Sequence, residues 1–206
     1  MNIIIENQYF PNITYINCLR NSSHVKIEQW ENFQKTSYRN RCAIFGNNGP
    51  IDLSIPVKGG REQKLLIREV EMDNSINWRN QHIRSIQSSY AKSPFFDFYF
   101  PDISRLIHSN KKFLLDMNLE ILSWLIKNLK LQCTVALTEK YEKEPTEFKD
   151  MRNHFTPQRQ KSIEISEAPK YLQVFEDRHG FQPNLSIIDL LFCEGPNSMR
   201  LLQTSS

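Results

Sequence analysis

The sequence predicts an α/β fold: a layered sheet with flanking helices and a loosely structured crossing segment near the C-terminus. Three observations point to it. Asn2–Ile5 carries three consecutive isoleucines, the pattern of a strand buried on both faces. Helical and strand-like stretches then alternate along the chain, as layered α/β architectures require. Finally, residues 139–170 are rich in Lys, Glu, Gln and Pro and poor in aliphatics, the composition of an exposed connection.

Taken in order, the first strand is broken by Tyr9-Phe10-Pro11, and Asn12 to Leu19 reads as a helix. His24 to Gln29 alternates as a second strand, followed by a loop holding Trp30, Phe33 and Tyr38. Cys42 to Phe45 and Ile51 to Val57 flank Asn47-Asn48-Gly49-Pro50, a turn signal that predicts a hairpin. Leu66 to Met72 is strand-like.

Asn77 to Lys92 reads as a helix, capped by Ser75 or Asn77 and stopped by Ser93-Pro94. The aromatic PFFDFY stretch precedes a helix from Asp102 to Ser109. Lys112 to Lys130 is the longest helix candidate, and Thr134 to Leu137 a short strand. In the polar connection Phe148, Met151 and Phe155 are candidate anchors, whereas Asp150, Arg152, Asn153, Arg159 and Lys161 read as a solvated face.

The last element follows Pro183-Asn184, with Asn184 as the candidate N-cap and Gly195-Pro196 as the stop. Leu185, Ile187, Ile188, Leu190, Leu191 and Phe192 cover most of its circumference, so Ser186, Asp189 and Cys193 form a narrow polar stripe. Asp189 either binds a neighbouring loop or, with Ser186 and the helix N-terminus, walls a binding site.

Composition narrows the partners. With 206 residues and 39% apolar content, one domain spanning 1–206 is expected. A net charge of +3 and the lack of long Lys/Arg runs argue against nucleic acid. The N-terminus lacks the pattern of a secretion signal, and the longest apolar helix is interrupted by Asp116, Glu120 and Lys127, so a cytoplasmic protein without membrane insertion is expected. The four cysteines lack CxxC spacing and read as reduced core residues. There is no HExxH, Cys-His cluster or EF-hand loop, so neither metal nor cofactor is expected. Lys58-Gly59-Gly60-Arg61 lacks the spacing of a P-loop.

Candidate chemistry is spread along the chain. His82, His179 and Asp189 are the acid–base candidates, with His82 and Asp189 the preferred catalytic pair. Tyr90, Asn184 and Ser186 are candidate donors or orienters. The loop from Gln8 to Pro11 follows the first strand, where open α/β sheets place ligands, so Gln8 and Tyr9 are ligand candidates. Arg39, Arg41 and Lys58 would suit a diphosphate or carboxylate if they converge there, and otherwise decorate the surface. His82 and Tyr90 either pack in the core or face a cleft beside Lys92.

Several stretches together, QYFPNITYI, SYRNRC, IPVKGG, NWRNQHIRSIQSSYAKSPFFDFY and FQPNLSIIDLLFCEGPN, resemble the WbqC-like family over nearly the whole chain. The resemblance implies a role in making lipopolysaccharide O-antigen or capsule, on an activated sugar in the cytoplasm. Members typically carry His-Gln-Pro before the QYFP-like piece. Ile5-Glu6-Asn7 stands there in this chain, so chemistry relying on that histidine is not carried over.

Three readings follow: a transferase acting on a nucleotide sugar or other small anionic substrate, a non-catalytic binding or assembly protein working with pathway enzymes, and an interaction module docking through Phe95 to Phe100. The first expects Lys58, His82 and Asp189 to line one cleft. The last expects an open apolar patch.

Overall fold

The structure is a computed structural model that describes residues 1–59, 64–160 and 169–204. Its centre is a parallel sheet. β1 (Asn2–Ile5) pairs with β2 (His24–Ile27) on one side, and β2 pairs in turn with a strand at Thr134–Leu137. On the other side β1 pairs with Lys149–Asp150. Every pairing is parallel, so the carboxyl ends of all four strands lie along one edge. Ile3 and Ile5 are fully buried and Ile4 nearly so, as the isoleucine run predicts.

α1 (Ile13–Arg20) crosses from β1 to β2 and buries Ile13, Tyr15, Ile16 and Leu19. An antiparallel hairpin follows, β3 (Arg41–Gly46) with β4 (Gly49–Ser54), turning at Asn47-Asn48 where Gly49 has φ +106°. The helical layer comprises α2 (Trp78–Tyr90), α3 (Phe96–Ile107) and α4 (Leu114–Asn128). Then come the two late strands, β5 (Thr134–Leu137) and β6 (Lys149–Asp150). Short helices close the described chain: α5 (Pro157–Gln160), α6 (Glu176–His179), α7 (Ile187–Glu194) and α8 (Ser198–Thr204).

Four local expectations need correction. Leu66 to Met72 is not a strand. Its backbone makes single bridges to three different partners, Asn32–Leu66, Val57–Met72 and Glu71–Phe113, around a 3₁₀ turn at Ile67–Glu69, so no ladder forms. α3 starts at Phe96 rather than Asp102, because the aromatic stretch is its first turns, with Phe96 and Tyr99 buried and Pro101 accommodated inside the helix. The polar connection supplies β6. Met151 and Phe155 anchor it in the core, while Phe148, half-buried, lies 4.4 Å beneath the Lys26 ammonium. Gly60, Arg61 and Lys161, and the side chain of Arg159, lie outside the described residues.

The fourth correction concerns Asn184. It does not cap α7, whose N-cap is Ser186. With φ +56°, Asn184 turns its Oδ1 to the amide of Thr14, 2.8 Å away, and so caps α1 from the far end of the chain. α7 stops at Gly195 as expected. Gly195 has φ +52°, and a β-carbon there would lie 2.4 Å from the Phe95 ring. Among the described residues the four cysteines are free thiols, Cys42 and Cys193 buried and Cys18 and Cys133 partly so.

Candidate functional site

The sheet order is β5-β2-β1-β6. From β1 the chain steps outward to β2 and then β5, and only afterwards returns to the far side of β1. This reversal is the topological switch that opens a ligand crevice beyond the carboxyl ends of parallel strands. Four segments leave the sheet there: Glu6–Gln8 after β1, Glu28 onward after β2, Thr138 onward after β5, and Met151–Asn153 after β6.

A cavity of about 440 Å³ opens at this edge, its walls including Trp30, Glu31, Asn32 and Gln34 from the loop after β2. Tyr141 and Lys143 come from the connection after β5, and Asp150, Arg152 and Asn153 from the end of β6.

A largely buried charged network supports these walls. Arg39 donates from Nε and Nη2 to the two oxygens of Glu31, each at 2.7 Å, and from Nη2 to Asn153 Oδ1 at 3.0 Å. The Asn153 amide donates to Glu6 Oε2 at 2.9 Å, and Gln8 Nε2 to Glu6 Oε1 at 2.9 Å. On the β2 side, Glu28 accepts from the Trp30 amide, Thr138 Oγ1 and Arg152 Nη1. Arg152 also grips Asp150 through Nε and Nη2, at 2.9 and 2.6 Å. Three buried glutamates, Glu6, Glu28 and Glu31, thus face two arginines. Burial pushes the Glu31 carboxyl up to about 7 against the pull of Arg39, and Glu6 and Glu28 add to the rise. Asp150 goes the other way, held below the usual range mainly by its hydrogen bonds from Arg152.

Some of the orphaned polar groups follow β1 at the same edge. Both side-chain atoms of Asn7 and the Oε1 of Gln8 are buried without a protein partner, which a water or a ligand group would have to satisfy.

The residues picked out in the sequence fall into separate places. Gln8 and Arg39 belong to this network, Gln8 through Glu6 and Arg39 through Glu31. Tyr9 is fully buried and bonds His82. His82 spans Tyr9 and the hairpin, Nδ1 to Tyr9 Oη at 2.9 Å and Nε2 to Ser54 O at 3.3 Å. A carbonyl only accepts, so Nε2 carries the proton and Tyr9 donates to Nδ1. Burial holds this imidazole down to about 4, hence neutral.

Asp189 is fully buried, accepting from Tyr90 at 2.6 Å and Tyr171 at 2.5 Å. Burial raises it to about 6 although both phenols favour the carboxylate. Tyr90 in turn accepts the Phe45 amide, tying α7 to α2 and β3. Ser186 donates to Phe10 O, and Asn184 caps α1.

Lys58, His82 and Asp189 therefore do not line one cleft. Lys58 is exposed and shares Glu71 with Lys112. Arg41 lines a second cavity, whereas Arg39 is buried against Glu31 and lines neither, so the three cations do not converge. His179, at the end of α6, reaches Asn47 O on the hairpin turn. Of the Phe95–Phe100 stretch, Phe98 stands out in solvent, while Phe96 and Tyr99 are buried.

The N-terminus of α1 would be the usual pyrophosphate dock at such a switch point. Here its amides are already taken: Ile13 by Leu185 O, Thr14 by Asn184 Oδ1, Tyr15 by Asn12 Oδ1. Residues 7–159 and 159–201 match the sequence model of the WbqC-like protein family. The chain belongs to this family. No curated protein and no solved structure matches it. In this WbqC-like chain Ile5 is core and Glu6 anchors the network. None of the described helices is long and apolar enough to cross a membrane, and no described His, Cys, Asp and Glu cluster could hold a metal.

Glu28, Glu31, Arg152 and Asn153 were missed as site residues. A signal existed for Glu28, an acid placed directly after β2. Arg152 and Asn153, read as solvated, are drawn inward because Met151 between Asp150 and Arg152 is buried.

Proposed function

We propose that this WbqC-like chain is a cytoplasmic enzyme of surface-polysaccharide biosynthesis, transferring a sugar from a nucleotide-linked donor. The observation that carries the proposal is Glu31, a buried carboxyl held up to about 7 on the wall of a cavity at the carboxyl edge of the sheet. Trp30 and Tyr141 offer ring faces, and Asn32, Gln34 and Asn153 offer amides suited to sugar hydroxyls. Family membership supports the pathway.

In this reading Glu31 takes the proton from the acceptor's nucleophilic atom as that atom bonds the anomeric carbon. The bond from that carbon to the donor's phosphate oxygen breaks, and the electron pair leaves with the phosphate. Arg39, itself fixed by its bond to Asn153 Oδ1, keeps the Glu31 carboxyl oriented. Tyr9–His82 and Tyr90–Asp189 are positioning pairs that lock the hairpin and α7 behind the site.

A thermal-shift screen with nucleotide sugars tests the proposal. At least one should raise the melting temperature, and Glu31→Gln should keep that shift while turnover falls by roughly a hundredfold or more. A second reading, a non-catalytic binding or assembly protein, is favoured by one observation: both Glu31 oxygens are engaged by Arg39. It gains if no nucleotide sugar binds while purified pathway enzymes do, or if Glu31→Gln leaves polysaccharide production intact in cells.

A further inference from the structure

Arg39 and Arg41 are two residues apart and have opposite fates. Arg39 is locked against Glu31, whereas the side chain of Arg41, the first residue of β3, makes no ion pair or hydrogen bond with the described residues, and its Nε is buried without a partner. Arg41 lines a second cavity of about 670 Å³, next to the first and sharing Phe33 with it. Lys35 lines the same hollow, again without a carboxylate partner among the described residues, and Thr36 and Ser54 add hydroxyls. No Asp or Glu is among its lining residues.

Cations without an ion-pair partner in a concave setting meet the requirement for holding an anion, and the nearby acid Asp52, two residues before Ser54 on β4, is not among the lining residues. Thr36 adds strain: a β-branched residue at φ +52° is rarely tolerated except where a loop must keep a particular shape. The α1 N-terminus, closed by Leu185, Asn184 and Asn12, leaves phosphate to be held elsewhere.

We propose that the Arg41–Lys35 cavity is an anion subsite that takes a phosphate or diphosphate group, Arg41 binding through its planar fork and Lys35 as a point charge. The link to a sugar in the first cavity rests on the function proposed above. Anion binding by itself does not.

Calorimetric titration with inorganic pyrophosphate at low ionic strength tests the subsite on the intact chain. Arg41→Gln and Lys35→Gln, each melting as the wild type does, should weaken binding by roughly tenfold to a hundredfold, and Arg105→Gln, which removes a surface cation of α3 that lines neither cavity, should leave it unchanged. Added salt should weaken wild-type binding. UDP binding more tightly than pyrophosphate would assign the anion to a nucleotide, and equal binding to a free phosphate source. Both outcomes support the subsite. Equal pyrophosphate affinity in wild type and Arg41→Gln, or none in the wild type, overturns it. Loss of pyrophosphate binding in Arg41→Gln without any sugar transfer by the wild type would uphold the subsite and defeat the transferase reading.

Discussion

Arg39 meets Glu31 fork to fork, two nitrogens each 2.7 Å from a carboxylate oxygen, with both side chains nearly inaccessible to water. A buried pair of this kind gains little over a well-packed apolar pair, yet removing one member strands the other charge. Glu31 has Glu6 and Glu28 close enough to push against it, so its dependence on Arg39 is acute.

Arg39→Met should therefore lose roughly 3–5 kcal/mol of stability in urea unfolding. Adding Glu31→Leu to that variant should restore much of the loss. A single variant that melts like the wild type would mean that the pair is not buried as described.

His82 should make the fold acid-sensitive. Its folded value of about 4 lies below the unfolded value of about 6.5, so its contribution is fully present above pH 6.5 and is lost as pH falls towards 4. Unfolding free energies measured across that window should decline in the wild type, and decline less in His82→Gln. Identical slopes would show that the imidazole is not held neutral.

Asp189 acts with the opposite sign. Its folded value of about 6 lies above the unfolded value of about 3.9, so its contribution is full below pH 3.9 and is lost as pH rises through 6. Asp189→Asn should remove this component from the pH–stability profile, seen as a flatter curve between pH 4 and 6 once the His82 slope is subtracted. It should also free one of Tyr90 and Tyr171, because an amide offers one acceptor oxygen where the carboxylate offers two.

The Asn184 cap on α1 separates two effects by substitution. Asn184→Ala loses the cap and keeps a β-carbon at φ +56° without the local hydrogen bonding that lets asparagine tolerate that region, for a total cost of about 2 kcal/mol. Asn184→Gly also loses the cap but removes the β-carbon from the left-handed region, and should be less destabilised. Equal losses, read by chemical denaturation, would leave the backbone conformation without energetic weight.

Much of this fold is written locally. The isoleucine run, the Asn47-Asn48 turn and the Gly195 stop report their own elements, because each depends on residues adjacent in sequence. β6 does not. Lys149 and Asp150 have no strand pattern and become a strand because the free edge of β1 pairs with them. The site divides in the same way. Gln8 could be placed from the rule about strand ends, but the Glu28–Arg152 contact joins residues 124 apart, and no local periodicity encodes it. Asp189 and His82 drew notice as rare polar groups in apolar helices. That signal marks burial as readily as chemistry, and both side chains are spent on tyrosines.

Hydrogen–deuterium exchange, with and without the nucleotide sugar that most raises the melting temperature, tests the central claim most directly. The account expects slower exchange in residues 30–36, 40–41, 54–57, 141–143 and 150–153, the segments that wall the two adjoining cavities, with little change in α7. Protection confined to α7 and residues 171–178, or no nucleotide sugar producing protection at all, would contradict it.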